Sequence, residues 1–251
     1  MLHLHSEWEQ AVNYLKSQHN FFKNLSSFRG WDSVVRIPLY EVHCYKGYLD
    51  YAREIYNSLK GDTLETWKFS MYHSPQGYLS DIFRFNDHKI SLFDIITNPY
   101  NIKSNHHYFK YQSLTGKNIL KFDYIVELGG GCGDFAKFIL NMGYKNEYTI
   151  IDIPEIIPFQ KYNLSGYNVN FTSSPVNYKP NTLFISTWGI SECPLSWRKE
   201  ILDKLSPESY LITYQSFFED MSNETYFQNF KGIRENIPWV PWDGGSKYLL
   251  N

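Results

Sequence analysis

Residues 125–136 read IVELGGGCGDFA. An apolar run ends in a cluster of glycines, and an amphipathic segment begins directly after them. Glycines in such a turn permit a sharp reversal and let a ligand approach the backbone without a Cβ in the way. The succession predicts a buried strand, a tight turn and a helix, with the turn at the edge of a parallel sheet where ligands bind.

Short β-branched runs alternate with amphipathic segments after this turn, which predicts strand–helix–strand units and a parallel sheet. The predicted strands cover residues 122–128, 147–152, 168–173, 182–187 and 209–215, and helices are predicted to begin near Asp134, Pro154 and Pro194. From Ile233 the tail predicts two last strands joined by a Pro- and Gly-rich turn. Before the sheet, helices are predicted from Ser6 to Leu25 and from Tyr40 to Lys60.

Composition and charge exclude several classes of protein. Of the 251 residues, 43% are hydrophobic and 20% charged, so a packed core is expected rather than disorder. The formal net charge is −2 and no basic face stands out, so nucleic acid is not an expected partner. The three cysteines form no CxxC pair, which argues against a disulfide framework and fits a reducing cytoplasm. The start of the chain does not look like a signal peptide, and no apolar run is long enough to span a membrane.

Two acids flank the glycine cluster. Asp152 ends the second predicted strand, where a carboxylate is placed to accept hydrogen bonds from two ribose hydroxyls. The spacing Gly131-x-Gly133-x-x-Ala136, with an acid about 20 residues later, also satisfies the dinucleotide fingerprint. Two cofactors fit this pattern, a dinucleotide such as NAD and S-adenosylmethionine. Glu127 favours S-adenosylmethionine, because its sulfonium and ammonium groups are attracted to a carboxylate, whereas the pyrophosphate of a dinucleotide is repelled by one. A purely structural role of Glu127, as a cap or ion-pair partner, is the alternative.

In the segments that contain the glycine cluster and these two acids, the chain resembles the bacterial sugar O-methyltransferases encoded in capsule, O-antigen and related polysaccharide loci. The resemblance rests on VELGGGCGDFA (126–136), IDIPEIIPFQKYNL (151–164), FISTWGISECP (184–194) and NETYF (223–227), and spans roughly half of the chain. It implies a Rossmann-like class I methyltransferase fold. That α/β fold has a seven-stranded, mostly parallel sheet with an antiparallel terminal strand, here preceded by a mainly helical amino-terminal extension.

The chain is expected to divide into two regions. Residues 1–118 are predicted to form a helical cap or an oligomerisation region, and residues 119–251 the domain that binds S-adenosylmethionine. The first region matches nothing in the resembling family, so it does not identify the acceptor. The expected partner is a small-molecule sugar or nucleotide sugar, and a homo-oligomer is compatible with the aromatic-rich extension.

Cofactor contacts are expected at the ends of successive strands. S-adenosylmethionine would leave as S-adenosylhomocysteine after transfer of its methyl group. The expected contacts are Glu127, Gly129, Gly130, Gly131, Gly133, Asp152, Ile153, Ser173 and Trp188. For Trp188, packing in the core is an equal alternative.

Transfer to a sugar hydroxyl requires a base above the carboxyl ends of the central strands. Glu192 follows the fourth strand and is the predicted base, although it could instead cap the helix near Pro194 or pair with Arg198. His107 is the rival base and His106 a candidate substrate ligand, while a structural role is the alternative for both histidines.

Glu219 and Asp220 follow the fifth strand and are candidate substrate ligands. Together with Glu192 they could hold magnesium, as some O-methyltransferases do. Their spacing matches no recognised metal signature, so no metal is expected.

The predicted activity is O-methylation of a nucleotide-activated heptose or deoxyhexose. An NAD-dependent sugar epimerase or oxidoreductase is one alternative; it would need a catalytic Tyr-x-x-x-Lys, and the nearest candidates do not fall on a helix after the fourth strand. A non-catalytic binding subunit with the same fold is another, and the intact glycine turn and Asp152 argue against it.

Overall fold

The computed structural model describes residues 41–72, 90–237 and 245–251, together with Glu9 and Asn13. Its helices are α1 (Glu41–Ser58), α2 (Gly61–Met71), α3 (Pro99–Thr115), α4 (Asp134–Asn141), α5 (Ile157–Asn163), α6 (Leu195–Leu205) and α7 (Asn223–Phe227). Its strands are β1 (Ile90–Leu92), β2 (Ile95–Thr97), β3 (Tyr124–Leu128), β4 (Glu147–Ile151), β5 (Asn170–Thr172), β6 (Thr182–Thr187), β7 (Ser209–Gln215), β8 (Phe217–Phe218), β9 (Met221–Ser222), β10 (Ile233–Ile237) and β11 (Ser246–Leu250). The helix predicted from Ser6 to Leu25 lies outside the described residues, except for Glu9 and Asn13, which are helical.

Seven strands form one sheet in the order β10-β11-β7-β6-β3-β4-β5. The strands β3 to β7 pair in parallel, and β11 is antiparallel to both of its neighbours. This arrangement confirms the Rossmann-like class I methyltransferase fold expected above. The chain runs outward from β3 through β4 to β5 and then returns to place β6 on the other side of β3. The loops after β3 and β6 therefore lie at the switch point where such sheets bind ligands.

The central strands are buried on both faces. All five residues of β3 and all seven of β7 are buried, as expected for parallel strands covered by helices. One face packs against α4, and the same core includes Tyr48 of α1, Trp67 of α2 and Ile102 of α3. Helices α1, α2 and α3 therefore share the core of the sheet.

Helix α3 is anchored at both ends. Pro99 occupies its first turn, and the side chain of Asn98 accepts a hydrogen bond from the backbone N–H of Asn101, 2.9 Å away. Gly116 ends the helix in the left-handed conformation with φ of 70°. These caps fix the helix that carries His106 and His107.

Two predicted helices differ in their limits. The first, predicted from Tyr40 to Lys60, ends at Ser58, and a separate helix begins at Gly61. The helix predicted to start near Pro154 begins at Ile157, because a turn in which Ile156 bonds back to Ile153 precedes it. Among the described residues, no helix combines the length and the apolar character needed to cross a bilayer.

Candidate functional site

The glycine turn after β3 packs directly against the turn after β6. A Cβ atom added at Gly129 would lie 2.8 Å from the Cα of Gly189, and one added at Gly189 would lie 2.6 Å from the carbonyl oxygen of Leu128. Atoms do not approach that closely, so only glycine fits at either position. The two turns at the switch point are consequently held together backbone to backbone.

Glu127 lies beneath this turn. Its side chain is 1% exposed, and its Oε2 accepts a hydrogen bond from the hydroxyl of Tyr148 at 2.8 Å. A Cβ added at Gly130 would lie 3.3 Å from the Glu127 carboxyl carbon, so the turn runs directly over the carboxylate. Burial raises the pKa of Glu127 to about 7. A buried carboxylate with one hydrogen-bond donor is well suited to a cationic group of a ligand.

Asp152 lies on the other side of the turn, at the end of β4. Its Oδ1 accepts from the backbone N–H of Ile153 at 2.8 Å, and its Oδ2 accepts from the Nε2 of Gln160 at 2.6 Å. Loss of solvation raises the pKa of Asp152 to about 7, although these hydrogen bonds favour the ionised form. Because β3 and β4 are neighbours, Asp152 and Glu127 lie at adjacent strand ends.

The carbonyl groups of Gly130, Gly131 and Cys132 in the glycine turn have donors within the protein. The backbone N–H of Gly133 donates to Gly130 at 2.8 Å. The carbonyl of Gly131 accepts from Gln160 at 3.0 Å, and that of Cys132 accepts from the side chain of Asn163 at 2.9 Å. Sequence reasoning assigned no role to Gln160 or Asn163. Their spacing of three residues on α5, which puts both amides on one helix face, was the available signal.

The remaining predicted cofactor residues flank this centre. Ile153 is buried directly after β4, and Ser173 is half-buried in the loop after β5. Trp188 follows β6 with φ of 67°, and its Nε1 donates to the hydroxyl of Ser246 at 3.3 Å. The ammonium of Lys103 lies 4.1 Å from the centre of the Trp188 ring. Trp188 is half-buried, so it is neither a core residue nor fully open to solvent.

Glu192 closes the short 3-10 turn from Gly189 to Glu192 that follows β6. It is half-buried, and its Oε1 accepts from the Nε2 of Gln215 at 3.3 Å. No side chain caps α6. The buried guanidinium of Arg198 donates to the carbonyl oxygens of Ser191 and Cys193 and to the side chain of Asn223. Two alternatives were considered above for Glu192, a cap of this helix and an ion pair with Arg198. The helix has no side-chain cap, and the guanidinium of Arg198 is directed to these other acceptors.

His106 and His107 are buried rather than exposed in a cleft. The Nδ1 atoms of both lie against the hydroxyl of Tyr248, at 2.7 Å and 2.5 Å. Because that hydroxyl has one proton, it donates to one ring and accepts from the other. Burial lowers the pKa of His106 to about 3 and holds that of His107 well below its usual value, so both rings are neutral at pH 7.

Glu219 and Asp220 form the exposed tip between β8 and β9. Within the ranges that the structure describes, no group of three or more His, Cys, Asp and Glu side chains is arranged to hold a metal ion. The convergence of Glu192, Glu219 and Asp220 on one ion, considered above, therefore does not occur. The reason is that the hairpin of β8 and β9 directs its tip into solvent.

No protein-family model matches the chain, and no curated protein matches it. Solved structures similar to it include the pyocyanin biosynthetic protein PhzM, at 12% identity over 59% of this chain and 55% of PhzM, with a TM-score of 0.43. The PH0226 protein from Pyrococcus horikoshii OT3 is 12% identical over 60% of this chain and 90% of that protein, with a TM-score of 0.44. A SAM-dependent methyltransferase from Aquifex aeolicus is 14% identical over 59% of this chain and 92% of its own, with a TM-score of 0.40. The match spans little more than half the length of PhzM.

Proposed function

We propose that the protein is an S-adenosylmethionine-dependent O-methyltransferase that acts on a sugar hydroxyl. The observation that carries the proposal is the position of Glu127, buried directly beneath the glycine turn. A pyrophosphate bound at the same turn would meet this carboxylate and be repelled by it, whereas an amino acid's ammonium group would be attracted. The second acid, Asp152, lies at the neighbouring strand end, where its carboxylate is placed to accept hydrogen bonds from ribose hydroxyls.

The two acids have distinct roles in this proposal. When bound, S-adenosylmethionine supplies an activated methyl group on a positively charged sulfur. Glu127 holds the ammonium end, and the positive charge of the ligand favours the ionised form of a carboxyl whose pKa is otherwise about 7. Asp152 orients the ribose, while Ile153, Ser173 and Trp188 line the remainder of the site.

Glu192 is the proposed base. The turn that carries it is in backbone contact with the glycine turn through Gly189 and Gly129, so Glu192 belongs to the same edge of the sheet as the candidate cofactor site. Its carboxylate would take up the proton that the sugar hydroxyl loses when its oxygen gains the methyl group, while the methyl–sulfur bond breaks and S-adenosylhomocysteine leaves. His107 is the weaker candidate, because burial keeps it a poor proton acceptor and places its Nδ1 against Tyr248.

The acceptor in this proposal is a nucleotide-activated heptose or deoxyhexose destined for a surface polysaccharide. The support is the sequence resemblance, since the fold does not fix the substrate. Residues 1–118 form the cap over the acceptor, or an oligomerisation region, and residues 119–251 hold the cofactor. The core shared by Tyr48, Trp67 and α4 supports a fixed position of α1 and α2 against the sheet.

Calorimetric titration of the purified chain with S-adenosylhomocysteine and, separately, with NAD tests the cofactor. Binding of the first and not the second is expected, and the reverse result would replace the proposal by a dinucleotide-dependent enzyme. Incubation with S-adenosylmethionine and a panel of nucleotide sugars then tests the acceptor by a mass gain of one methyl group. If the chain binds the cofactor but methylates no sugar in the panel, the proposed cofactor stands and the proposed sugar acceptor is wrong.

A further inference from the structure

Gln160 is a fully buried polar residue behind the candidate cofactor site. Its side chain is 0% exposed on α5. Both hydrogens of its amide are used, one towards the Oδ2 of Asp152 at 2.6 Å and one towards the carbonyl of Gly131 at 3.0 Å. Because both partners can only accept, the orientation of the amide is determined by them.

The carbonyl end of the same amide is unsatisfied. The Oε1 of Gln160 is buried and has no hydrogen-bond partner among the residues that the structure describes. A buried acceptor without a partner is destabilising, and an apolar side chain at this position would avoid that cost. The presence of an amide here is therefore explained by its two donated hydrogen bonds.

These two hydrogen bonds join parts of the chain that act on one ligand. Asp152 follows β4, and Gly131 belongs to the turn after β3. The buried amide thus links the carboxylate to the turn, beside the backbone N–H groups of Gly130 and Gly131, which also interact with Asp152. It also favours the ionised form of Asp152, because a donor to a carboxylate stabilises its charge.

We propose that Gln160 is a positioning residue for the cofactor ribose, acting through Asp152. It keeps the Asp152 carboxylate ionised and directed into the site, at a fixed position relative to the glycine turn. This inference rests on the proposed binding of S-adenosylmethionine. It adds a residue that touches no ligand but sets the geometry and the protonation of one that does.

Asn163 supplies a matched control. It lies one turn further along α5 and donates to the neighbouring carbonyl, that of Cys132, but it does not contact Asp152. Replacing it therefore loosens the same turn from the same helix without removing a donor from the carboxylate. The acidic groups coupled to Asp152 are Glu127 on β3 and the thiol of Cys193 after the 3-10 turn, and both are unchanged in either variant.

The test measures the affinity for S-adenosylhomocysteine between pH 6 and pH 9 by calorimetry. Gln160→Met, which keeps the size and loses the donors, is expected to bind about 10- to 100-fold more weakly at pH 7, the effect of one hydrogen bond to a charged group. The pH midpoint for binding should move upwards, so that raising the pH restores part of the affinity. Asn163→Leu should leave that midpoint where the wild type has it.

A double-mutant cycle completes the experiment. If Gln160 acts through Asp152, then adding Gln160→Met to Asp152→Asn should weaken binding little beyond Asp152→Asn alone. An additive loss, or a loss with an unmoved pH midpoint, would overturn the positioning role. If Gln160→Met does not fold, the same measurements are made with Gln160→Ser, which leaves space for a water molecule. A wild-type chain that does not bind S-adenosylhomocysteine would instead contradict the proposed function itself.

Discussion

Tyr148 donates its hydroxyl to the Oε2 of Glu127 at 2.8 Å inside the sheet. The two residues lie on adjacent parallel strands, where Tyr148 pairs with Ile125, two positions before Glu127, so they are diagonal neighbours on one face. This hydroxyl gives the buried carboxylate a hydrogen bond in place of those that water would provide. Burial outweighs it, since the pKa of Glu127 is raised to about 7.

Glu127→Gln should stabilise the ligand-free protein in a pH-dependent way. Between its unfolded pKa near 4.5 and its folded pKa of about 7, the folded state binds more protons at Glu127 than the unfolded state. Stability therefore falls as the pH rises through this window. The gain in the free energy of unfolding for Glu127→Gln should increase by about 2–3 kcal/mol from pH 5 to pH 8.

Urea denaturation of wild type and variant at both pH values measures this difference. Glu147→Gln is the control, because it makes the same change at a surface carboxylate, one that pairs with Lys179. A gain that is equal at pH 5 and pH 8 would mean that Glu127 is ionised as easily in the folded chain as in the unfolded one.

Asp152→Ala should weaken binding of S-adenosylhomocysteine by about 2–4 kcal/mol, the contribution of one to two charge-assisted hydrogen bonds. The wild-type affinity should also decrease as the pH falls through about 7, since the carboxylate is protonated there. Calorimetry at pH 6 and pH 8 measures both effects. Asp203→Asn, on the exposed side of α6, should bind as the wild type does. Full affinity in a folded Asp152→Ala chain would remove Asp152 from the cofactor site.

Gly189→Ala should destabilise the chain by about 3 kcal/mol, because the added methyl group meets the backbone of Leu128 and Gly129. Affinity for the cofactor should fall as well, since the glycine turn must shift. Gly116→Ala is the comparison: its φ is 70°, but the space around it is open, so the cost is only the ordinary one of about 1–2 kcal/mol for a left-handed residue. Equal melting temperatures of the two variants would contradict the close contact between the turns.

Glu192→Gln should lower the turnover rate by roughly 10²–10⁴-fold, which is the usual contribution of a positioned base. Cofactor affinity should remain nearly unchanged, because the ribose and ammonium contacts lie elsewhere. Single-turnover methyl transfer separates the two quantities. His107→Ala tests the rival base. If His107→Ala loses turnover while Glu192→Gln keeps it, the roles are exchanged, and if neither loses turnover, alignment alone drives the reaction.

Deletion of residues 1–60 should abolish methyl transfer or solubility. It removes α1, whose Tyr48 and Ala52 are buried in the core that also contains residues of α4. The comparison of activity and of solubility between the full chain and the shortened one measures the effect. A shortened chain with full activity on its acceptor would contradict a capping role for this region.

The sequence alone was sufficient to locate the parallel strands of the sheet. The five predicted parallel strands are all found, and the glycine turn between Leu128 and Asp134 lies where the pattern indicated. These features depend on local backbone preferences, such as β-branched runs for strands and glycine for tight turns, which neighbouring residues specify directly. For the same reason Glu127 and Asp152, each at the end of a predicted strand, could be assigned to one edge of the sheet before the fold was known.

Only the tertiary structure decided which side chains meet. His107 and Tyr248 are 141 positions apart, and nothing local to either of them indicates that the histidine is buried against that hydroxyl. Gln160 reaches a carbonyl 29 positions earlier in the chain. Such contacts depend on the strand order and on how helices pack across the sheet, both of which are long-range properties. The sequence thus placed the two acids at one edge of the sheet, and the packing determined what holds them there.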